Sequence, residues 1–358
     1  VIGTIKIEGD TMIELTHGNL LKADAEALVN TVNTAGYMGK GIALQFKQAF
    51  PANFAAYQRA CTHGDIQIGR MFVYETGALY HPRYIINFPT KAHWRGKSQL
   101  AYVEQGLVAL IDEVKQRGVQ SIAVPPLGCG LGGLDWAVVR PLIEQAFAPL
   151  PAVHVLLYAP AGTPDAESMP IGTTRQLLTP PRALLIKLIE RYNQLAYRLS
   201  LLEIQKLAYF LQEADEPLQL NFTKRWYGPY AHNLNKVLER LEGHYIRGYG
   251  DSQKPDAELQ ILPGAVTAAD AVLQGATASL QRLQRVSAVI EGFETPYGME
   301  LLASVHWLAT HEEPAVVNAD QAIAGIHQWT GRKQKTFHPA HIQVAWQRLA
   351  DHGLVNAM

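Results

Sequence analysis

The chain has almost no cysteine: Cys61 and Cys129 are the only two in 358 residues. Two thiols in so long a chain do not build the disulfide framework of a small secreted domain, and they fit a reducing cytoplasm. Long apolar runs are missing as well. None approaches the ~20 residues that carry a helix across a bilayer, and no basic n-region, apolar h-region and cleavage site mark a secretory leader. No membrane association is expected. Met12 reads as a natural start with Val1–Thr11 as an upstream extension; the alternative, that those residues are native, stays open.

Charge of one sign is also lacking. The formal net charge is −1, and the balance persists within each half: 14 Lys/Arg against 14 Asp/Glu in residues 1–175, then 17 against 18 in residues 176–358. A high-affinity duplex binder carries a broad basic field, so any nucleic-acid contact here must be local. The 13 histidines show no HxxxH spacing, and the cysteines no CxxC, beside a third ligand, so neither metal nor cofactor is expected. What is present is 48% hydrophobic and 18% charged residues, the profile of a globular protein long enough for two cores.

The first half alternates between strand and helix patterns. Met12–Leu15, Ala27–Thr31, Met71–Glu75, Tyr84–Phe88, Ser121–Pro125 and Val153–Tyr158 read as strands. Gly41–Ala49, stopped by Pro51, Ser98–Arg117 with Gly118 as its stop, and Asp135–Phe147 read as helices. This order predicts a three-layer α/β/α domain over residues 12–160, with ligands bound at the carboxyl ends of the strands. Residues 161–178 read as a Pro/Gly/Thr-rich linker. Residues 179–358 change character to a mainly α-helical domain. Thr179-Pro180-Pro181 opens one helix, and the capping box Ser200-Leu201-Leu202-Glu203 opens another that runs to about Glu213. Phe222–Tyr227 reads as a short strand ended by Gly228-Pro229. His232–Glu242, Thr267–Glu291, Gly298–Thr310, Asp320–Trp329 and Pro339–Asp351 read as further helices.

Two segments carry the chemistry. In the first, Gly18-Asn19-Leu20-Leu21 precedes a strand ending in Asn30 and Asn33, which runs into Gly36-Tyr37-Met38-Gly39-Lys40-Gly41 at a helix start. Asparagine offers both donors and acceptors to ribose hydroxyls. Glycines let the backbone approach a diphosphate, whose charge meets N–H groups and the helix N-terminus. The second segment is Leu127-Gly128-Cys129-Gly130-Leu131-Gly132-Gly133. Gly128, Gly130 and Gly133 satisfy GxGxxG, but in a late βα unit with no acidic residue about 20 positions on, so the dinucleotide fingerprint is rejected. Two glycine loops in one α/β domain suggest two walls gripping one diphosphate.

This pairing resembles the macrodomain family over roughly residues 12–160. Within it, Asn87-Phe88-Pro89-Thr90-Lys91 is most similar to DarG-type antitoxin macrodomains, which remove ADP-ribose from thymidine in single-stranded DNA, and to the related terminal ADP-ribose glycohydrolases. The resemblance implies that Lys91 is catalytic and that Asn19 and Leu20 lie in the adenosine loop. It places Asn30 and Asn33 near the distal ribose, with residues 36–41 and 127–133 around the diphosphate. Tyr158 either covers adenine or is core. Two positions depart from the pattern. Asn19 stands where many macrodomains hold adenine with Asp, and Gly132 stands where the terminal glycohydrolases carry a catalytic Asp. Asp135, three residues on, reads as a plain N-cap. A lysine can attack the sugar as a neutral amine or, protonated, stabilise the departing base; the second role is preferred. Next to it, His93, Trp94, Arg95 and Lys97 either grip a single strand, with Trp94 stacking on a base, or form a solvated turn with one half-buried Trp. Cys129 reads as packing in its glycine loop rather than as a nucleophile.

In the second half, Leu202–Gln212 together with Trp226-Tyr227-Gly228-Pro229-Tyr230 resembles the Panacea-type antitoxin domain. The resemblance implies a DarT-like DNA ADP-ribosyltransferase toxin as partner of residues 179–358. Glu213-Ala214-Asp215-Glu216 and Glu312-Glu313 are candidates to mimic phosphates, or are ordinary solvated helix ends. Two other functions remain in play: a reader that binds ADP-ribose without cleaving it, and a glycohydrolase acting on ADP-ribosylated protein carboxylates.

Overall fold

The computed structural model describes residues 12–160, 169–193, 199–250 and 258–355. They form two compact units, the first built by residues up to Thr174 together with Gly250, the second by Arg175–Tyr249 and the described residues beyond 254.

The first unit runs β1 (Ile13–Thr16), β2 (Ala27–Asn33), α1 (Gly41–Ala49), α2 (Pro51–His63), β3 (Phe72–Glu75), β4 (Tyr84–Lys91), α3 (Leu100–Arg117), β5 (Ser121–Val124), α4 (Trp136–Phe147) and β6 (His154–Tyr158). The six strands lie in the order β1-β6-β5-β2-β4-β3. All neighbours are parallel except β3, which closes one edge antiparallel to β4. Alternation along the strands builds two cores. Ala27 and Val29 of β2 join Ile122 and Val124 of β5 against Val103, Leu107 and Leu110 of α3 and Val139 and Ile143 of α4. Leu28 and Ala123 point the other way, into a cluster with Phe46 of α1. The expected three-layer macrodomain architecture is what the chain adopts.

Two local readings need correction here, at Pro51 and in the linker, and a third, Asp135 as a plain N-cap, holds. Pro51 does end α1, but it also opens α2, because proline at the first helical position forfeits no hydrogen bond. Apolar periodicity over 51–63 is weak, with Asn53, Tyr57 and Ala60 as its buried residues, so α2 was missed. Asp135 is the N-cap of α4, accepting from Ala137 N at 2.9 Å. Of the segment read as a linker, residues 161–168 lie outside the described residues. Its next part is packed: Met169 is buried beside Leu20, Phe46 and Tyr158, and Gly172 N donates to Gln48 O at 2.7 Å.

The second unit contains α5 (Pro180–Asn193), α6 (Leu201–Glu213), the hairpin β7 (Phe222–Arg225) and β8 (Gly228–Ala231), α7 (Leu234–Leu241), a two-residue ladder of β9 (Ile246–Arg247) with β10 (Gln260–Ile261), then α8 (Ala265–Leu273), α9 (Thr277–Ile290), α10 (Pro296–Thr310), α11 (Ala319–Trp329), α12 (Gly331–Thr336) and α13 (Pro339–Asp351). The capping box at Ser200 and Glu203 forms reciprocally. α10 is buried on every side from Gly298 to Leu308, its polar Glu300, Ser304 and His306 included. Gly228-Pro229 does not end the strand pattern; it starts the second strand of the hairpin. The helix expected over Thr267–Glu291 is two helices, broken at Gly275, whose φ of +85° no helix accommodates. Among the described residues no helix is long and apolar enough to cross a membrane.

Candidate active site at the carboxyl ends of the strands

β2 and β4 run side by side with Asn30 opposite Asn87 and Val32 opposite Pro89; the register then slips, and Asn33 faces Lys91 instead of Thr90. This irregularity brings Lys91 level with the end of β2. Thr34 continues the pairing, with N donating to Lys91 O at 3.0 Å and Oγ1 to Ala92 O at 2.7 Å. The Lys91 side chain crosses to the second glycine loop, where Nζ donates to Leu131 O at 2.6 Å. Leu131 also reaches the first loop: a Cβ on Gly41 would lie 3.3 Å from Leu131 Cδ1. Lys91 and the two glycine loops therefore meet. Half-burial lowers the pKa of the Lys91 ammonium below that of an exposed lysine.

The asparagines are committed differently from one another. Asn33 builds its own loop: its Oδ1 accepts from Ala35 N at 2.9 Å and its Nδ2 donates to Tyr37 O. Its carbonyl accepts from the Tyr57 hydroxyl of α2. Asn30 is sealed inside the sheet, donating to Asn87 Oδ1 at 2.9 Å, while Asn87 donates to Asn53 Oδ1 of α2 at 2.8 Å. Among the described residues Asn30 Oδ1 has no hydrogen-bond partner. Met38 and Leu127 are fully buried, so they can offer a ligand only backbone groups. Lys40 is the N-cap of α1. Asn19 caps the 3₁₀ turn Leu20–Lys22 through its Oδ1, and its Nδ2 meets Met169 Sδ at 3.3 Å. Leu20 and Tyr158 share one cluster with Met169, at the β1–β6 edge rather than beside Lys91.

The turn after β4 is pinned to the first loop. Trp94 is half-buried, its ring centroid 5.2 Å from that of Tyr37 and 5.4 Å from that of His93, with the Arg95 guanidinium 4.4 Å from its centroid. Arg95 and Lys97 remain exposed. Cys129 is half-buried, and burial together with Asp135 pushes its thiol up to about 11, which leaves little thiolate for nucleophilic work.

The Macro domain family matches residues 29–143. Over 342 residues the chain is 48% identical to a DNA ADP-ribosyl glycohydrolase of Thermus aquaticus, spanning 96% of this chain and 94% of that one. The chain belongs to the DNA ADP-ribosyl glycohydrolase family. Relatives in this family are named as hydrolases. A Thermosipho africanus protein named as a DNA ADP-ribosyl transferase–DNA ADP-ribosyl glycohydrolase fusion is 33% identical over 175 residues, 44% of this chain and 45% of that one. Among solved structures, the macrodomain of Mycobacterium tuberculosis DarG is 54% identical, covers 42% of this chain and 99% of that one, and gives a TM-score of 0.42.

One residue of the candidate site, Ser98, escaped the sequence reading, and Tyr37 entered it only as a member of the 36–41 loop. Tyr37 lies across Gly39, where any Cβ would come within 2.2 Å of its ring; a tyrosine between glycines gives no periodic signal. Ser98 is buried, its N–H donates to Gly132 O at 3.1 Å, and among the described residues its Oγ has no partner. It explains Gly132. A Cβ there would lie 2.1 Å from Gly128 O and 2.3 Å from Ser98 Oγ, so in this loop conformation position 132 has no room for an acidic side chain. Gly130 and Gly133 face open space; Gly133 is favoured instead by its φ of +80°.

Proposed function

We propose that the first unit hydrolyses the N-glycosidic bond between ADP-ribose and thymidine in single-stranded DNA. The supporting observation is the link from Lys91 Nζ to Leu131 O, which sets one cationic group between both glycine loops. On this reading adenosine lies against Asn19, Leu20 and Tyr158. The diphosphate meets the backbone of residues 36–41 and 127–133 and the start of α1, and the distal ribose lies by Asn33, with Asn30 supporting it from within the sheet. The C1′–N bond then breaks with its electron pair leaving on thymine, water adds to C1′, and thymine regains a proton. Lys91, protonated, stabilises the developing charge on the base. One of its N–H groups donates to Leu131 O and the others face the leaving group. His93, Trp94, Arg95 and Lys97 line the path of the strand, Trp94 for stacking and the cations for phosphate.

The second unit, on the same reading, binds and restrains a partner DNA ADP-ribosyltransferase. The name of the fusion relative, which joins transferase and glycohydrolase in one protein, supports that partnership. Acidic mimicry by Glu213, Glu216 and Glu312 is poorly supported, because each carboxylate is occupied. Glu213 pairs with His311 at 3.0 Å, Glu216 with Arg282 at 3.0 Å, and Glu312 with Lys224 at 3.1 Å. The intracellular setting rests on two free cysteines, Cys61 and Cys129.

The test is to offer the intact protein equal amounts of ADP-ribose linked to thymine in a single-stranded oligonucleotide and to a protein carboxylate. Release from the oligonucleotide alone is expected. Release from the carboxylate alone would move the activity to proteins, and tight binding of free ADP-ribose with no release from either would leave a reader.

A further inference from the structure

Much of the second unit's buried charge lies under one β-hairpin. β7 and β8 join through Trp226-Tyr227. Beneath them Lys206 of α6 is 1% exposed and donates from Nζ to Pro229 O at 2.6 Å. Gln205 holds Ala231 from both sides, accepting from its N–H at 2.9 Å and donating to its carbonyl at 3.2 Å. A Cβ on Gly228 would lie 2.9 Å from Ser304 Oγ of α10, and its φ is +91°, so only glycine lets the hairpin seat there. Lys333 of α12, fully buried, donates to Ser304 Oγ at 2.9 Å and to Glu300 Oε1 at 2.7 Å. Arg332 takes both oxygens of Glu300 at 2.7 and 3.0 Å. On the outer side, Trp329 Nε1 donates to Arg225 O at 3.0 Å.

The hairpin is thus fixed along its length, yet its tip is uncovered. Trp226 is 54% exposed and Tyr227 36%, with the Arg332 guanidinium 4.7 Å from the centre of the Tyr227 ring. Burying Lys206 against a carbonyl and Lys333 against the Glu300 carboxylate carries a heavy desolvation cost, and leaving two large aromatics in water forgoes hydrophobic gain. Together they make a preorganised aromatic surface, which loses little further entropy when a partner docks. Trp, Tyr and Arg are the residues that dominate interface energies.

The charge indicates which partner. At the surface Lys224, Arg225 and the half-buried Arg332 outnumber Glu312, while Lys206, Lys333 and Glu300 lie buried beneath, so the patch suits an anionic surface. Lys224 is held by Glu312, and Arg332 and Lys333 by Glu300; among the described residues Arg225 has no ion pair. A nucleic-acid strand needs a track of free cations along its backbone. One free arginine beside two aromatics fits an apolar protein pocket with a carboxylate on its rim. We infer that Arg225, Trp226 and Tyr227 form the docking point of the second unit for such a protein. Resting on the reading above, that protein is the DNA ADP-ribosyltransferase.

The test uses the full chain and a purified DNA ADP-ribosyltransferase from the same organism, with the dissociation constant measured for the parent, Trp226→Ala, Arg225→Glu and the exposed control Val344→Ala. Both hairpin variants should bind about thirtyfold more weakly or worse, the control should bind as the parent, and all should melt within about 2 °C of it. Parent-like binding by both hairpin variants would overturn the docking site and leave the partnership standing. No binding by the parent would overturn both. Binding of a ~20-nucleotide oligothymidylate that is lost in Trp226→Ala, with transferase binding unchanged, would reassign the hairpin to nucleic acid.

Discussion

On the proposed function Lys91 is the residue on which the chemistry turns, and its protonation state is open to measurement. Burial lowers its pKa, so the ammonium form gives way to the amine at a lower pH than for an exposed lysine. A Lys91 that acts as a cation is active below that pKa, and ADP-ribose release should fall as pH climbs through it. A nucleophilic amine would give the opposite slope, and a rate profile from about pH 6 to about pH 10 separates them. Gly132 is the second decisive residue. Gly132→Asp would not supply a useful carboxylate, because its Cβ would collide with Gly128 O and Ser98 Oγ. The variant should lose about 1–3 kcal/mol of stability in urea titration and bind ADP-ribose at least about tenfold more weakly by calorimetry. Ser98→Ala removes a buried hydroxyl that has no partner among the described residues, and should be neutral or slightly stabilising by the same titration.

Among the elements, β2, β4 and α2 are stapled by Asn30, Asn87 and Asn53. Asn87→Ala would leave two buried amides without their shared partner and should cost about 2–4 kcal/mol in urea unfolding; a loss under about 1 kcal/mol would show that the staple contributes little. The strands and the long helices could be read from sequence because their periodicities coincide with burial. In α3, for example, residues 103, 107, 110, 111 and 114 all face the core. α2 could not, because its buried face includes Asn53 and Tyr57, polar groups whose value lies in partners on distant strands. The break between α8 and α9 at Gly275 was visible as a single glycine, which a helix pattern tolerates until the fold requires a positive φ. The hairpin was half legible: its first strand has a β pattern, while Gly228-Pro229 signals a stop that Lys206, Gln205 and Ser304 override by holding that backbone. At the site, the glycine loops and Lys91 were legible as motifs. The slip between Val32 and Asn33, the Lys91–Leu131 link and the place of Ser98 depend on strand register and loop closure, which no local pattern encodes.

At the scale of the whole molecule, buried basic side chains give the second unit a pH dependence of its own. Burial, with His311 nearby, holds His306 down at about 3, and burial with Lys333 nearby holds Lys206 at about 7. Unfolded, these groups titrate near about 6.5 and about 10.4. The unfolded chain therefore binds more protons between each pair of values, and stability rises with pH across both windows. Thermal melts of the intact protein should show the second unit's transition moving upward from about pH 5 to about pH 9. Lys206→Met should flatten the alkaline part of that rise, and a transition that falls across this range would contradict the assignment.

On the proposed function Lys91, clasped to the second glycine loop, drives cleavage of the bond between ADP-ribose and thymidine. The most direct test of that role is single-turnover release of ADP-ribose from a thymine-modified single-stranded oligonucleotide by the parent and by Lys91→Ala, with the affinity for free ADP-ribose measured alongside. The account predicts a loss of about 10²–10³-fold in rate for the variant with nearly unchanged affinity. Release by Lys91→Ala at the parent rate would contradict it.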